Sequence, residues 1–157
     1  MFPSHDPRGG GYDEQRGQAH YSRWNSLQKS NDLKNQYENE NNFKYDFVMH
    51  SRLDLCWTEP LTYKFTQEYF YTGTPIGNNG KNEYPDRWFM ASSDKMNELA
   101  KIYNNMNDFC NPNSPKYIPQ YAGISSHFIV AKYLRDLNYN VKHLWTYPEM
   151  HKMYRDL

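Results

Sequence analysis

The sequence has little cysteine and no close histidine pairs. Its two cysteines, Cys56 and Cys110, lie far apart, and neither belongs to a Cys-x-x-Cys pair. Disulfide-rich folds and cysteine-based zinc sites need more cysteines at closer spacing, so neither is expected. We therefore expect both thiols to be reduced, which is typical of a cytoplasmic protein. The six histidines include no pair at metal-ligand spacing, so a histidine-built zinc centre is not expected either.

Long hydrophobic runs and net charge are also lacking. No apolar run exceeds four residues, whereas a membrane-spanning helix needs about 18 or more, so no membrane span is predicted. The charges of eighteen basic and eighteen acidic residues cancel. The chain therefore has no overall positive field that would attract nucleic acid, and nucleic acid is not an expected partner. Leu, Ile, Val and Phe make up only about 17% of the chain, but fifteen tyrosines, four tryptophans and seven methionines can supply an aromatic core.

The domain organisation follows from length and composition. The 157 residues suffice for one domain. Residues 1–18 are rich in glycine and charge and show no periodicity, which indicates a flexible arm. Residues 19–157 then form one α/β domain, with a single mixed sheet flanked by helices.

Hydrophobic spacing predicts the order of the elements. A helix is predicted over 20–40, with Tyr21, Trp24, Leu27 and Tyr37 near one stripe. The β-prone segments 45–51, 65–72, 87–91 and 140–145 are predicted strands. Helices are predicted to start at Ser92 or Ser93 and at Ser125 or Ser126. The apolar stripe of the first of these helices consists of Met96, Leu99, Ala100, Tyr103 and Met106.

The predicted strand over 45–51 has the features of a central strand. It is short, rich in β-forming residues and follows a helix, as a central strand of an α/β sheet does. We therefore expect it to lie in the middle of the sheet, buried on both faces. Ligands of open α/β sheets bind at the carboxyl ends of strands, so the residues that follow it are candidates for a site.

The triplet Arg52-Leu53-Asp54 stands at that point. Strand alternation would place Arg52 and Asp54 on the same side. A carboxylate can hold a divalent cation, and a guanidinium can bind phosphate oxygens. The same spacing also fits a simple Arg–Asp salt bridge, which is the more common arrangement.

Three further residues carry candidate chemistry. Asp86 precedes a predicted strand, so it could act as a general base or bind an acceptor, or it could be an ordinary turn residue after proline. Asp54 and Asp86 are expected to face one cleft. Ser126 and His127 are secondary candidates, although Ser125-Ser126-His127 fits a helix cap better than a nucleophile beside a base.

Several segments occur in a characteristic order. They are Asn31-Asp32-Leu33-Lys34 with Tyr37-Glu38, Phe43-Lys44-Tyr45-Asp46-Phe47-Val48, Ser51-Arg52-Leu53-Asp54-Leu55, Asp86-Arg87-Trp88-Phe89-Met90-Ala91-Ser92 with Met96, and the final helix and strand over 124–144. Together they resemble a glycosyltransferase-like family that occurs in large DNA viruses, phage and bacteria. In this chain Arg52 stands where the usual motif of the fold has its first aspartate, and Ser125, Ser126 and His127 stand where a glutamate is usual.

The resemblance implies a GT-A-like fold and sugar transfer. Its expected partners are a nucleotide-sugar donor and a glycan or protein-linked acceptor. Arg52 and Asp54 would bind the donor, Asp54 would hold Mn²⁺ or Mg²⁺, and Asp86 would be catalytic. The family's nucleotide-binding half has no counterpart in residues 1–44, so the resemblance implies a partial domain with an upstream-encoded amino-terminal half as a partner. A non-catalytic carbohydrate-binding or interaction domain derived from such an enzyme is the alternative.

Overall fold

The computed structural model describes residues 14–58, 60, 62–75, 83–117, 126–144 and 151–153. These residues form an α/β structure of four helices and six strands. In chain order they are α1 Glu14–Glu40, β1 Val48–Ser51, β2 Leu55–Trp57, β3 Phe70–Gly73, β4 Trp88–Ala91, α2 Ser93–Ala100, α3 Ile102–Cys110, α4 Ser126–Asp136, β5 Val141–Leu144 and β6 His151–Met153. Within the described ranges, no helix is long and apolar enough to cross a membrane.

Four strands form one mixed sheet in the order β1-β4-β3-β5. Strand β4 is antiparallel to β1 and to β3, whereas β3 and β5 are parallel. The first strand is therefore an edge strand of this sheet, and its residues are only half-buried. The expectation of a central strand buried on both faces was wrong, because β3 and β4, which have a neighbouring strand on each side, are the strands buried along their whole length.

Each face of the sheet has its own core. Phe89 and Ala91 of β4 face the helices and pack with residues of all four, including Trp24, Leu99 and Ile129. On the other face, Trp88 and Met90 of β4 pack with Tyr71, and aromatic residues between β2 and β3 cover them. Because successive side chains of β4 point to opposite faces of the sheet, they divide the core into two parts. The helices pack on one face of the sheet, whereas helices flanking the sheet were expected.

Helix α1 starts earlier and buries a different stripe than predicted. It begins at Glu14, so residues 14–18 are helical, while residues 1–13 of the expected arm lie outside the described residues. Trp24 and Leu27 are buried as predicted, but Tyr37 is 52% exposed. The buried stripe continues instead through polar residues, Asn31 and Glu38. The helix ends at Glu40, as predicted.

Hydrogen bonds satisfy this polar stripe. Glu38 accepts from Ser93 Oγ at 2.7 Å and from the backbone N–H of Tyr45 at 2.9 Å, and it pairs with Lys34 at 3.1 Å. Asn31 donates to Asn97 of α2 at 3.0 Å. The network fixes α1 against α2 and against the segment that enters β1.

The predicted helix after Ser92 divides into α2 and α3 at Lys101. Met96, Leu99, Ala100 and Met106 are buried on the predicted stripe. Ser92 occupies the cap position without a side-chain capping bond, and the hydroxyl of the next residue, Ser93, donates to Glu38.

Two short strands were not predicted. β2 and β6 pair antiparallel as a separate two-stranded ribbon, with Cys56 opposite Lys152. Each has only three residues, too few for an alternating pattern to be recognised in the sequence.

Candidate functional site

The antiparallel pairing of β1 with β4 builds the site. Ser51 lies opposite Trp88, so the residues that follow β1 meet those that precede β4. The backbone N–H of Arg52 donates to the carbonyl of Arg87 at 3.0 Å and extends the pairing by one step. Asp86 therefore comes close to the Arg52-Leu53-Asp54 turn although it is far away in the sequence.

A cavity of about 470 Å³ opens at this edge of the sheet. Its wall combines the turn after β1, the residue before β4 and one face of α1. The lining residues are Ala19, His20, Arg23, Arg52, Leu53, Asp54 and Asp86. The three residues expected to form the main site thus line one cavity, together with three from α1.

Arg52 and Asp54 form a bidentate ion pair. Arg52 Nε and Nη2 donate to the two oxygens of Asp54 at 2.7 and 2.6 Å. A turn rather than strand alternation brings them together, since the N–H of Leu55 donates to the Arg52 carbonyl at 3.3 Å. The hydrogen bonds to Asp54 raise the pKa of Arg52 above its ordinary value, although partial burial opposes this effect. The salt bridge that the spacing allowed is therefore present.

Asp86 is held by two basic side chains. Arg23 Nη1 lies 3.1 Å from Oδ2, and His127 Nε2 donates to Oδ1 at 3.1 Å. Burial alone would raise the pKa of Asp86, but the His127 hydrogen bond and the charges of Arg23, His127 and Arg52 hold it well below its ordinary value. The carboxylate stays ionised, and both of its oxygens already accept. The other ring nitrogen of His127, Nδ1, lies 4.0 Å from Glu83.

Ser126 connects α4 to α1. Its buried hydroxyl shares a hydrogen bond of 2.7 Å with His20 Nδ1, and His20 lines the cavity. Ser125 lies outside the described residues. Of the secondary candidates, His127 contacts Asp86, whereas Ser126 contacts His20.

His50 lies behind the cavity on β1. Its ring stacks on Phe89 with centroids 6.4 Å apart. Burial lowers the pKa of His50 to about 4, with a further contribution from the charge of Arg23. The imidazole is therefore neutral in the folded protein at neutral pH.

This shift predicts a loss of stability in mild acid. The unfolded chain takes up a proton on His50 below its ordinary pKa of 6.5, while the folded chain resists protonation until about pH 4. The unfolding free energy should fall by about 2 kcal/mol from this group between pH 7 and pH 5. Urea denaturation of the wild type and of His50→Gln at both pH values measures the effect. An equal pH dependence in the two proteins would contradict it.

The residues at this cavity do not fit a divalent cation. Both oxygens of Asp54 accept from Arg52, and those of Asp86 face Arg23 and His127. Across the described ranges, there is no group of three His, Cys, Asp or Glu side chains that could hold a metal ion. To bind either carboxylate, Mn²⁺ or Mg²⁺ would have to displace a basic side chain that already holds it.

Sequence reasoning missed Arg23, His20 and His50. The signal for Arg23 was its place next to Trp24 on the face of α1 that the apolar residues bury. A charged residue beside a buried tryptophan needs a partner, and Asp86 is that partner.

No family model, curated protein or solved structure matches the chain.

Proposed function

We propose that this chain is a glycosyltransferase-like domain that transfers a sugar from a nucleotide-sugar donor to a hydroxyl of a glycan or protein-linked acceptor. One observation carries the proposal: Arg52, Asp54 and Asp86, which belong to the segments that resemble this family, line one cavity. Its volume of about 470 Å³ is in the range of small-molecule sites.

The side chains suggest a division of roles. Transfer forms a bond from the acceptor oxygen to the anomeric carbon, while the bond from that carbon to the phosphate oxygen breaks and its electron pair leaves with the diphosphate. Arg52 neutralises the charge that develops on the leaving group, and Asp54 keeps its guanidinium in one orientation.

The acceptor proton needs a base. Asp86 is a weak base because its pKa is held low, so in this proposal it orients the acceptor hydroxyl. His127 does not line the cavity: its Nε2 donates to Asp86 and holds this carboxylate in place, while its Nδ1 faces Glu83. Asp86 is therefore also the proposed proton acceptor, because the hydroxyl becomes acidic as its oxygen bonds to the anomeric carbon and a carboxylate can then take the proton.

A panel of nucleotide sugars tests the proposal, with release of the nucleoside diphosphate as the readout. Asp86→Asn should reduce the rate about 100-fold or more, since general acid–base catalysis by a positioned side chain contributes at least that factor. Asp94→Asn is the matched control, because Asp94 is exposed and pairs with Lys44 on the surface. Equal rates in wild type and Asp86→Asn would contradict the assigned role, and no release from any donor would contradict transferase activity.

Carbohydrate binding without catalysis is the second candidate, and one observation favours it. Tyr37, Phe43 and Tyr45 are 52%, 41% and 40% exposed. Their rings contact edge to face, with centroids 5.7 and 4.8 Å apart. Exposed rings can stack on sugar faces. Glycan binding that Tyr45→Ala weakens, without turnover of any nucleotide sugar, would favour this candidate.

A further inference from the structure

Arg23 has more hydrogen-bond donors than the surrounding residues use. Nη1 pairs with Asp86, but Nε and Nη2 are buried and have no hydrogen-bond partner in the described part of the chain. Only 16% of the side chain is exposed. Buried guanidinium donors without acceptors are unfavourable, and an oxyanion is the ligand that satisfies them best.

Arg52 brings a second guanidinium to the same cavity. It comes from the turn after β1, whereas Arg23 comes from α1. Burial lowers the pKa of Arg23, and the positive charge of Arg52 lowers it further. An anion between the two arginines would relieve the repulsion between their positive charges, whereas a metal cation there would add to it.

We propose that Arg23 and Arg52 together bind the diphosphate of the ligand and take the place of a divalent cation. The inference rests on the proposed function for the identity of the ligand, a nucleoside diphosphate linked to a sugar. The binding chemistry itself requires only a diphosphate. Planar guanidinium groups bind phosphate oxygens in pairs, which a lysine cannot do.

Calorimetry of the full chain with inorganic pyrophosphate in excess EDTA tests the inference. We expect binding without metal that weakens at least about tenfold in Arg52→Gln and in Arg23→Lys. Arg23→Lys keeps a positive charge next to Asp86, so the buried ion pair survives while the paired donors are lost. Lys101→Gln is the control, because Lys101 is exposed, pairs with Glu98 and does not line the cavity.

Asp54→Asn separates the arginine site from a metal site. In the arginine site, Asp54→Asn removes a negative charge that competes with the ligand for Arg52, while the amide oxygen can still accept a hydrogen bond that orients the guanidinium, so pyrophosphate should bind as tightly as in the wild type or more tightly. If Asp54 held a metal that carries the diphosphate, the same substitution would abolish binding. Thermal unfolding of each variant without ligand verifies that it is folded.

Four results would overturn the inference: binding that requires Mn²⁺ or Mg²⁺, binding that Arg52→Gln and Arg23→Lys leave unchanged, binding lost in Asp54→Asn, or no pyrophosphate binding under any condition. None of them is a failure of the proposed function, which is measured separately by nucleotide-sugar turnover. Conversely, metal-free pyrophosphate binding with no turnover would support the arginine site and contradict the transferase proposal.

Discussion

Asp86→Ala is expected to lower the free energy of unfolding by about 3–5 kcal/mol, because removing one member of a buried ion pair leaves the other charge without a partner. The partner is Arg23, and the two side chains are only 16% and 13% exposed. The substitution also removes the acceptor of His127. Urea denaturation at pH 7 measures the loss.

A double variant gives the control. Arg23→Met combined with Asp86→Leu removes both charges and fills the space with apolar side chains, so most of the lost stability should return. Asp94→Ala at the exposed pair with Lys44 should change stability little. A double variant as unstable as Asp86→Ala would show that the loss comes from something other than the unpaired Arg23.

Phe89→Ala is expected to cost about 3–5 kcal/mol, the range for a large aromatic residue deleted from a core. Phe89 is fully buried on β4 and contacts Trp24 and Phe70, with ring centroids 6.4 and 6.1 Å away. Phe89 therefore connects the sheet directly to helix α1, on which Trp24 lies. Thermal and urea unfolding both report the change.

Val48→Ala on β1 is the comparison. Val48 is half-buried on the edge strand, directly opposite Ala91 of β4. Its truncation should cost about 1 kcal/mol. If Val48→Ala were as harmful as Phe89→Ala, β1 would have to be a buried central strand, and the strand order would be wrong.

The sequence was informative where burial follows a simple period. Met96, Leu99 and Ala100 lie on the buried face of α2 as their spacing predicts, and β4 and β5 lie within one residue of the expected strands. The position of β1 could not be predicted in this way. Strand order depends on long-range pairing, and local β propensity describes a strand without naming its neighbours.

The site could be predicted only in part, for a related reason. Arg52, Asp54 and Asp86 were recognised because each lies at a predicted strand end, and the cavity brings them together. Arg23 was missed because helix periodicity was judged from apolar residues alone. The buried stripe of α1 contains charged side chains such as Glu38, whose partners lie on other elements and are invisible in the local sequence.

The hydrogen bond between His20 and Ser126 joins residues 106 positions apart in the chain. The cavity wall beside α1 is therefore complete only after α4 has docked. A partly synthesised chain still has Arg23 and His20 but lacks the contacts that fix them. A ligand of this cavity should bind the finished fold alone, so it should slow unfolding and leave the rate of folding nearly unchanged.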